Sequence, residues 1–335
     1  MLGICSQPIV AFSSVPGNIF LPCSHKPSTC GTKKYFHCRK HRRIQSASSR
    51  WVSCISYTPF EGNSWCLQIN NLRIFVDPWL VGNLQFGPEF LFSGVKKSLK
   101  DWKLEDFGNI DLIVLSQGLP DHTHVPTLKR IDKNIPVIAS IKAARICHNL
   151  GFRNIQVLKH GDSFKFHSVE ISAYKGSLVG PPYEAPENGY LFESCHPPFR
   201  LYYEPHGNVP RQVLSELQTK SIDVLVVPVV NAAVKWMGFQ FNLINEPSNV
   251  LQVVKHLQPR QLVPLMNNDL NISGILSYVI ASKGSLEEFE RSIRASGWRT
   301  QVLKPVIGEP CRLLKEESSY RVVGATVCPS PQEQT

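Results

Sequence analysis

No aspartate or glutamate occurs before Glu61 in this chain of 335 residues. No uncharged apolar run approaches the roughly 20 residues that a membrane-spanning helix needs. The longest strongly apolar stretch, from Val224 to Ala233, is short and is interrupted by Pro228 and Asn231. The ten cysteines form no Cys-x-x-Cys pair. Five lie early (Cys5, Cys23, Cys30, Cys38 and Cys54), and Cys66, Cys147, Cys195, Cys311 and Cys328 are scattered. That spacing excludes a disulfide framework and a thiolate zinc knuckle, and it fits free thiols in a reducing compartment. The absence of internal repeats and of heptads excludes a solenoid and a coiled coil.

What is present divides the chain. The net charge is +10, but residues 1–50 carry eight Lys and Arg and no acid, so the remainder has a net charge of only +2. A basic, serine-bearing, acid-free leader has the composition of an organelle transit peptide. Residues 1–50 are therefore expected to be a disordered transit peptide. The chloroplast stroma is preferred over the mitochondrion because Pro, Ser and Thr dominate early and arginines cluster late. The near-neutral remainder argues against nucleic acid as partner. Its apolar content is high enough for a packed core over residues 57–315, with 316–335 as a polar tail.

Apolar periodicity places strand–turn–strand signals at Trp65–Val76, with Asn70-Asn71 as the turn and Asp77-Pro78 as the stop. Residues 79–108 read as a long connection, within which Lys96, Lys97 and Lys100 beside Trp102 suggest a solvated basic face. Asp111–Ser116, Asp223–Val229 and Gln261–Leu265 are continuous apolar runs, as in strands covered on both faces. Helices are expected over about 125–131, 142–150, 210–217 and 286–295, with another starting at Pro247. Mixed strands, then strand–helix units, then the same order again, predict an α/β fold of two sheets packed face to face with helices outside. Trp236, Met237, Phe239 and Phe241 cluster as core or as a pocket wall.

The chemistry concentrates in Ser116-Gln-Gly-Leu-Pro-Asp-His-Thr-His124, which directly follows a buried strand, where α/β proteins place their sites. This stretch resembles the motif of the metallo-β-lactamase superfamily, in which a strand ending in Ser is followed by His-x-His-x-Asp-His. Phe75-Val-Asp-Pro-Trp-Leu80 is similar to the strand end of its lactonase-like branch. Arg200–Tyr203, Asp223–Pro228 and Gln261–Pro264 resemble its later strands, in the same order. The resemblance covers roughly residues 57–315 and implies an αββα sandwich of two mixed sheets; with the leader, it suggests a plant organellar member.

Carried over residue by residue, the resemblance implies a rewritten centre. Gln117 and Leu119 stand where the two leading motif histidines belong, whereas Asp121 and His122 keep the Asp-His pair. Ser177 lies near the place of the mid-chain His, His206 takes that of the bridging Asp, and Met266 or Asn267 that of the last His. A dinuclear zinc site is not available from this set. Two readings stay open. In one, the chain is a non-catalytic protein of the chloroplast that binds a small-molecule ligand or an organellar protein partner. In the other, Asp121, His122 and His206 hold one Zn or Fe ion of a hydrolase acting on an ester, lactone or phosphoester. Asp121 and Glu204 are then the candidate catalytic carboxylates, and Glu204 or His124 a fourth ligand or base.

Overall fold

Alternate residues of the central strands face two different cores, and this alone builds four layers. In the strand Leu72–Val76, Ile74 and Val76 point into one apolar cluster while Phe75 points into another. The computed structural model describes residues 55–177, 187–236, 239–265, 267 and 269–314, with the side chains of 235–241 outside that description. The expected transit peptide, the polar tail, Met266 and the side chains of Trp236, Met237, Phe239 and Phe241 therefore lie outside the described residues.

Two seven-stranded sheets form the frame. The first runs, in spatial order, Cys311–Arg312, Ile55–Pro59, Trp65–Ile69, Leu72–Val76, Leu112–Leu115, Val137–Ala139 and Ile155–Val157. The second runs Gln301–Val302, Gln261–Leu265, Val224–Pro228, Pro198–Tyr203, Asn188–Cys195, Val169–Lys175 and Ser163–Phe166. Both are mixed: antiparallel hairpins give way to parallel strands from Leu72–Val76 onward in the first and from Pro198–Tyr203 onward in the second. Asn70 turns the first hairpin at φ 54°, a left-handed conformation that asparagine tolerates.

Between the sheets lie Trp65, Leu67, Ile74 and Val114 from the first, against Ile171, Phe192, Tyr203 and Val226 from the second. Fully burying such side chains stabilises by about 1.5–3 kcal/mol each. The helices Val125–Arg130 and Ile141–Asn149 cover the outer face of the first sheet through Leu128, Ala143 and Cys147. Arg211–Gln218, Pro247–Leu257 and Leu286–Ala295 cover the second through Val213, Leu217, Val250, Val254, Phe289 and Ile293. The protein is thus the αββα sandwich expected from the sequence.

The stretch from 79 to 108 is more than a connection. It carries the strands Leu84–Gln85 and Ser93–Val95, which join Asn271–Ser273 in a small third sheet, and a 3₁₀ turn at Leu104–Phe107. Gly274 docks there at φ 93°, where a Cβ would lie 2.7 Å from the Leu91 carbonyl. Lys96 does not lie on a solvated face; it is 3% exposed, with its ammonium 5.2 Å from the ring centroids of both Trp79 and Phe107. The apolar run around it folds inward and takes the lysine along. No helix among the described residues is long and apolar enough to cross a membrane.

Candidate metal centre

The site lies where strands of both sheets end. Val76 leads into Asp77, Leu115 into Ser116, Tyr203 into Glu204 and His206, and Leu265 towards Asn267. Asp77 sits at φ 44°, an uncommon conformation for a residue other than glycine, and its N–H donates to the Val114 carbonyl at 2.9 Å. Its carboxylate is fully buried and fixes the loop that follows the neighbouring strand. Oδ1 accepts the Ser116 N–H at 2.8 Å. Oδ2 accepts from the Ser116 hydroxyl at 2.5 Å and from the Tyr203 hydroxyl of the opposite sheet at 2.7 Å, and it lies 2.8 Å from His122 Nδ1.

From Ser116 the chain makes a tight turn, closed by the His122 and Thr123 N–H groups on the Leu119 carbonyl at 3.0 and 2.7 Å and by the Thr123 hydroxyl on the Gln117 carbonyl. This turn brings His122 Nε2 to 3.2 Å from Asp121 Oδ2. His206 arrives from the other sheet with its ring centroid 5.1 Å from that of His122. One ligand atom from each of Asp121, His122 and His206 then lies within 4.8 Å of the others. The structure brings these three predicted residues together. His124 goes elsewhere: its Nδ1 caps the helix Val125–Arg130 against Thr127, and its Nε2 faces the Asn83 carbonyl at 3.1 Å. Burial holds it down at about 4. Both of its ring nitrogens are engaged at the helix start and the Asn83 carbonyl, and it lies outside the cluster of Asp121, His122 and His206.

Glu204 is buried and heavily engaged. One oxygen accepts the backbone N–H groups of His206, Gly207 and Asn208, and the other accepts from the Ser177 hydroxyl at 2.8 Å and the Ser177 N–H at 3.2 Å. Its visible task is to hold the turn that presents His206. The carboxylate touching His206 is instead Glu187, whose Oε2 bonds to His206 Nδ1. Sequence reasoning missed this residue. Ser177, near the place of the mid-chain His, bonds to both carboxylates through its N–H. Two further residues were not anticipated in their roles. Asn63 Nδ2 lies 3.1 Å from Asp121 Oδ2 and 3.2 Å from His122 Nε2, and Asn267 donates to Asn63 Oδ1 at 2.9 Å.

The electrostatics follow from burial and pairing. Burial disfavours a charged His122, but Asp121 and then Asp77 outweigh it and raise its pKa well above the ordinary value. Burial also works against a charged Asp121, yet His122 and His206 hold it below its usual range. Burial and the neighbouring His122 hold His206 down at about 4. Burial pushes Glu204 up to about 8, helped by the charge of Glu187, and burial pushes Glu187 up to about 7. Burial thus raises both glutamates above the ordinary carboxylate range beside an imidazole that burial disfavours protonating.

The family profile described as "Beta-lactamase superfamily domain" matches residues 56–266. The chain belongs to that superfamily. Solved relatives of this superfamily domain share its architecture at low identity. A possible metal-dependent hydrolase from Veillonella parvula superposes with a TM-score of 0.59 at 15% identity, covering 78% of this chain and 100% of that one. An isothiocyanate hydrolase from Delia radicum gut bacteria gives 0.58 at 18% identity, covering 76% and 98%. Igni18, a metallo hydrolase from Ignicoccus hospitalis, gives 0.55 at 14% identity, covering 79% and 100%. These likenesses establish the metallo-β-lactamase fold. An oxysterol-binding protein homolog from Schizosaccharomyces pombe is 26% identical over 144 residues, and the match spans 39% of this chain but only 14% of that protein.

Proposed function

We propose that this protein is a metal-dependent hydrolase built on a single ion, held by Asp121, His122 and His206. The observation that carries the reading is the matched support of the two imidazoles. Each has its Nδ1 against a buried carboxylate, Asp77 for His122 and Glu187 for His206, which leaves Nε2 as the ligating nitrogen of each; that of His122 already faces Asp121 Oδ2 and the Asn63 amide at 3.2 Å. Metal-ligating histidines are oriented in this way, through a carboxylate on the second ring nitrogen. The donor set also fits a cation: buried Asp121 Oδ1 has no hydrogen-bond partner among the described residues, an acceptor left open at the cluster. The solved neighbours described as hydrolases share the fold alone, so the reading rests on these side chains.

Two imidazoles and one carboxylate suit Zn²⁺ or Fe²⁺, which would supply Lewis acidity towards the oxygen of an ester, lactone or phosphoester. The protein's own residues would do the rest. Asp77 and Glu187 fix the two rings. Glu187, bonded to His206 Nδ1, and Glu204, buried beneath the same turn, would offer a place from which protons are delivered or taken up. Of the expected catalytic carboxylates, Asp121 belongs to the ligand set and Glu204 acts through Glu187 and the 205–208 turn.

The test is metal content after purification without chelator or histidine tag. We expect about one equivalent of zinc or iron, lost in His122→Ala and in His206→Ala. Absence of metal after incubation with Zn²⁺ and with Fe²⁺ would sink the hydrolase reading. A second reading would then stand, a non-catalytic protein binding a small molecule or an organellar partner. It is favoured by Asn63, whose amide nitrogen already bridges Asp121 Oδ2 and His122 Nε2, two atoms that a cation would join. For either reading we propose the chloroplast as location, on the acid-free basic leader in which Pro, Ser and Thr dominate early and arginines cluster late. A fluorescent fusion of the full chain found outside plastids would overturn that assignment.

A further inference from the structure

At the other end of the second sheet lies a cavity of about 1080 Å³ that plays no part in the metal centre. The strand Gln261–Leu265 begins at this cavity and ends just before Asn267, so the two sites are separated by about 17 Å of extended chain. Arg260, Arg299 and Arg312 line the cavity with Trp298, and no Asp or Glu is among its lining residues that the structure describes. Arg260 has a distant partial counter-ion, Asp223 at 4.0 Å, and keeps 56% of its side chain exposed. Arg299 and Arg312 are exposed and have no carboxylate partner among the described residues. The rest of the chain beyond the leader is close to neutral, so this concentration of positive charge is local.

The walls include polar side chains that are already hydrogen-bonded, to backbone or to each other. The Thr300 hydroxyl donates to the Pro259 carbonyl at 2.7 Å, Gln261 Nε2 donates to Gln301 Oε1 at 3.2 Å, and Gln261 Oε1 accepts the Leu314 N–H at 3.0 Å. These bonds fix the backbone that carries the guanidinium groups while leaving those groups unused. Three arginines around one concavity, two of them without a carboxylate partner among the described residues, repel each other until an anion enters. A planar guanidinium matches a phosphate with two parallel hydrogen bonds, and the half-buried indole of Trp298 offers a flat face to a ring. The volume is of the order that encloses a small organic ligand.

We infer that this cavity binds a nucleotide, with its base on Trp298 and its phosphates on Arg260, Arg299 and Arg312. A single-stranded nucleic acid is the less fitting occupant, because it needs a basic groove that continues along the backbone, and here the charge is confined to one concavity. The inference is independent of the metal centre and holds whichever reading of that centre is right.

Isothermal titration of the full chain with AMP, ADP and pyrophosphate, at low salt and without divalent cations, tests it. One saturable site for ADP is expected, weakening as salt is raised. Arg299→Gln and Arg312→Gln should each weaken ADP about tenfold, the loss of one charge-assisted contact. Trp298→Leu should weaken AMP and ADP and leave pyrophosphate unchanged. His206→Ala should bind ADP as the parent does, which separates this site from the metal centre. An unchanged melting temperature without ligand shows that the arginine variants fold. No saturable binding at millimolar ADP overturns the inference, as does undiminished binding in the double arginine variant. Equal loss of pyrophosphate and ADP in Trp298→Leu removes the base from the assignment. An oligoribonucleotide that binds more tightly than ADP through the same arginines would make the surface a nucleic-acid site instead.

Discussion

Replacing Asp77 by Ala is expected to cost about 3–5 kcal/mol of stability, the range for removing one partner from a buried charged pair, and to abolish metal binding. Asp77 is fully buried, and its carboxylate is the point where both sheets and the site loop meet. Alanine would leave the Ser116 N–H and the Tyr203 hydroxyl, both buried, without their acceptor, and would leave the Ser116 hydroxyl and His122 Nδ1 with only each other at 3.0 Å. It would also release the His122 ring from its orientation. Asp77→Asn separates the two effects. It keeps the volume and one carbonyl oxygen, but its amide hydrogens face the donors that converged on Oδ2. We expect that variant to remain folded and to lose about 10–100-fold in metal affinity, as for other outer residues that orient a ligating histidine. Urea unfolding and competition with a chelator measure the two quantities. Metal affinity unchanged in Asp77→Asn would mean that His122 does not depend on this carboxylate.

The readability of this molecule follows from how local each feature is. The strands ending at Val76, Leu115 and Tyr203 were legible because continuous apolar runs stop at polar loops; Asp77 and His206 sit within three residues of those stops, and Asp121 and His122 lie in the loop that directly follows Leu115. Glu187 was not legible, because what joins it to His206 is sheet register. Tyr190 faces Tyr203 across the antiparallel pair, and continuing that register three residues beyond the ladder sets Glu187 opposite His206. Knowing the register in advance would have exposed it. Asn63 carries no such signal. It reaches Asp121 from a turn in which Glu61 and Gly62 both have positive φ, 67° and 62°, and in which the Glu61 carboxylate accepts the N–H groups of Lys97, Ser98 and Leu99. Such long-range closure is a tertiary fact. Lys96 was misread for a related reason: its neighbours Lys97 and Lys100 point to solvent, and nothing in residue type separates the lysine that turns inward.

That lysine supports the second large prediction. Lys96→Met is expected to stabilise the protein at pH 7, by an amount on the order of a few kcal/mol, since each unit of pKa shift corresponds to about 1.4 kcal/mol. Burial lowers the Lys96 ammonium to about 7, against a raising effect from Glu61, and its nitrogen has no hydrogen-bond partner. The two aromatic rings at 5.2 Å return part of that cost, about 0.5–2 kcal/mol each by the usual range of cation–π contacts. The sign fixes the pH window. Below about 7 the lysine is protonated in both folded and unfolded chains, and the full cost of burying the charge is present. Between about 7 and the ordinary lysine value near 10.4, the unfolded chain holds a proton that the folded chain has released, so stability rises with pH through that interval. Methionine has a similar length, fills the space between Trp79 and Phe107, and does not titrate. The advantage of Lys96→Met should therefore be greatest at or below pH 7 and shrink as the pH approaches 10. Urea unfolding at several pH values, with an unchanged m-value, reads it directly. If the variant is instead less stable than the parent by the same amount at every pH, the aromatic contacts outweigh desolvation and Lys96 is a net stabiliser of the loop beneath the site.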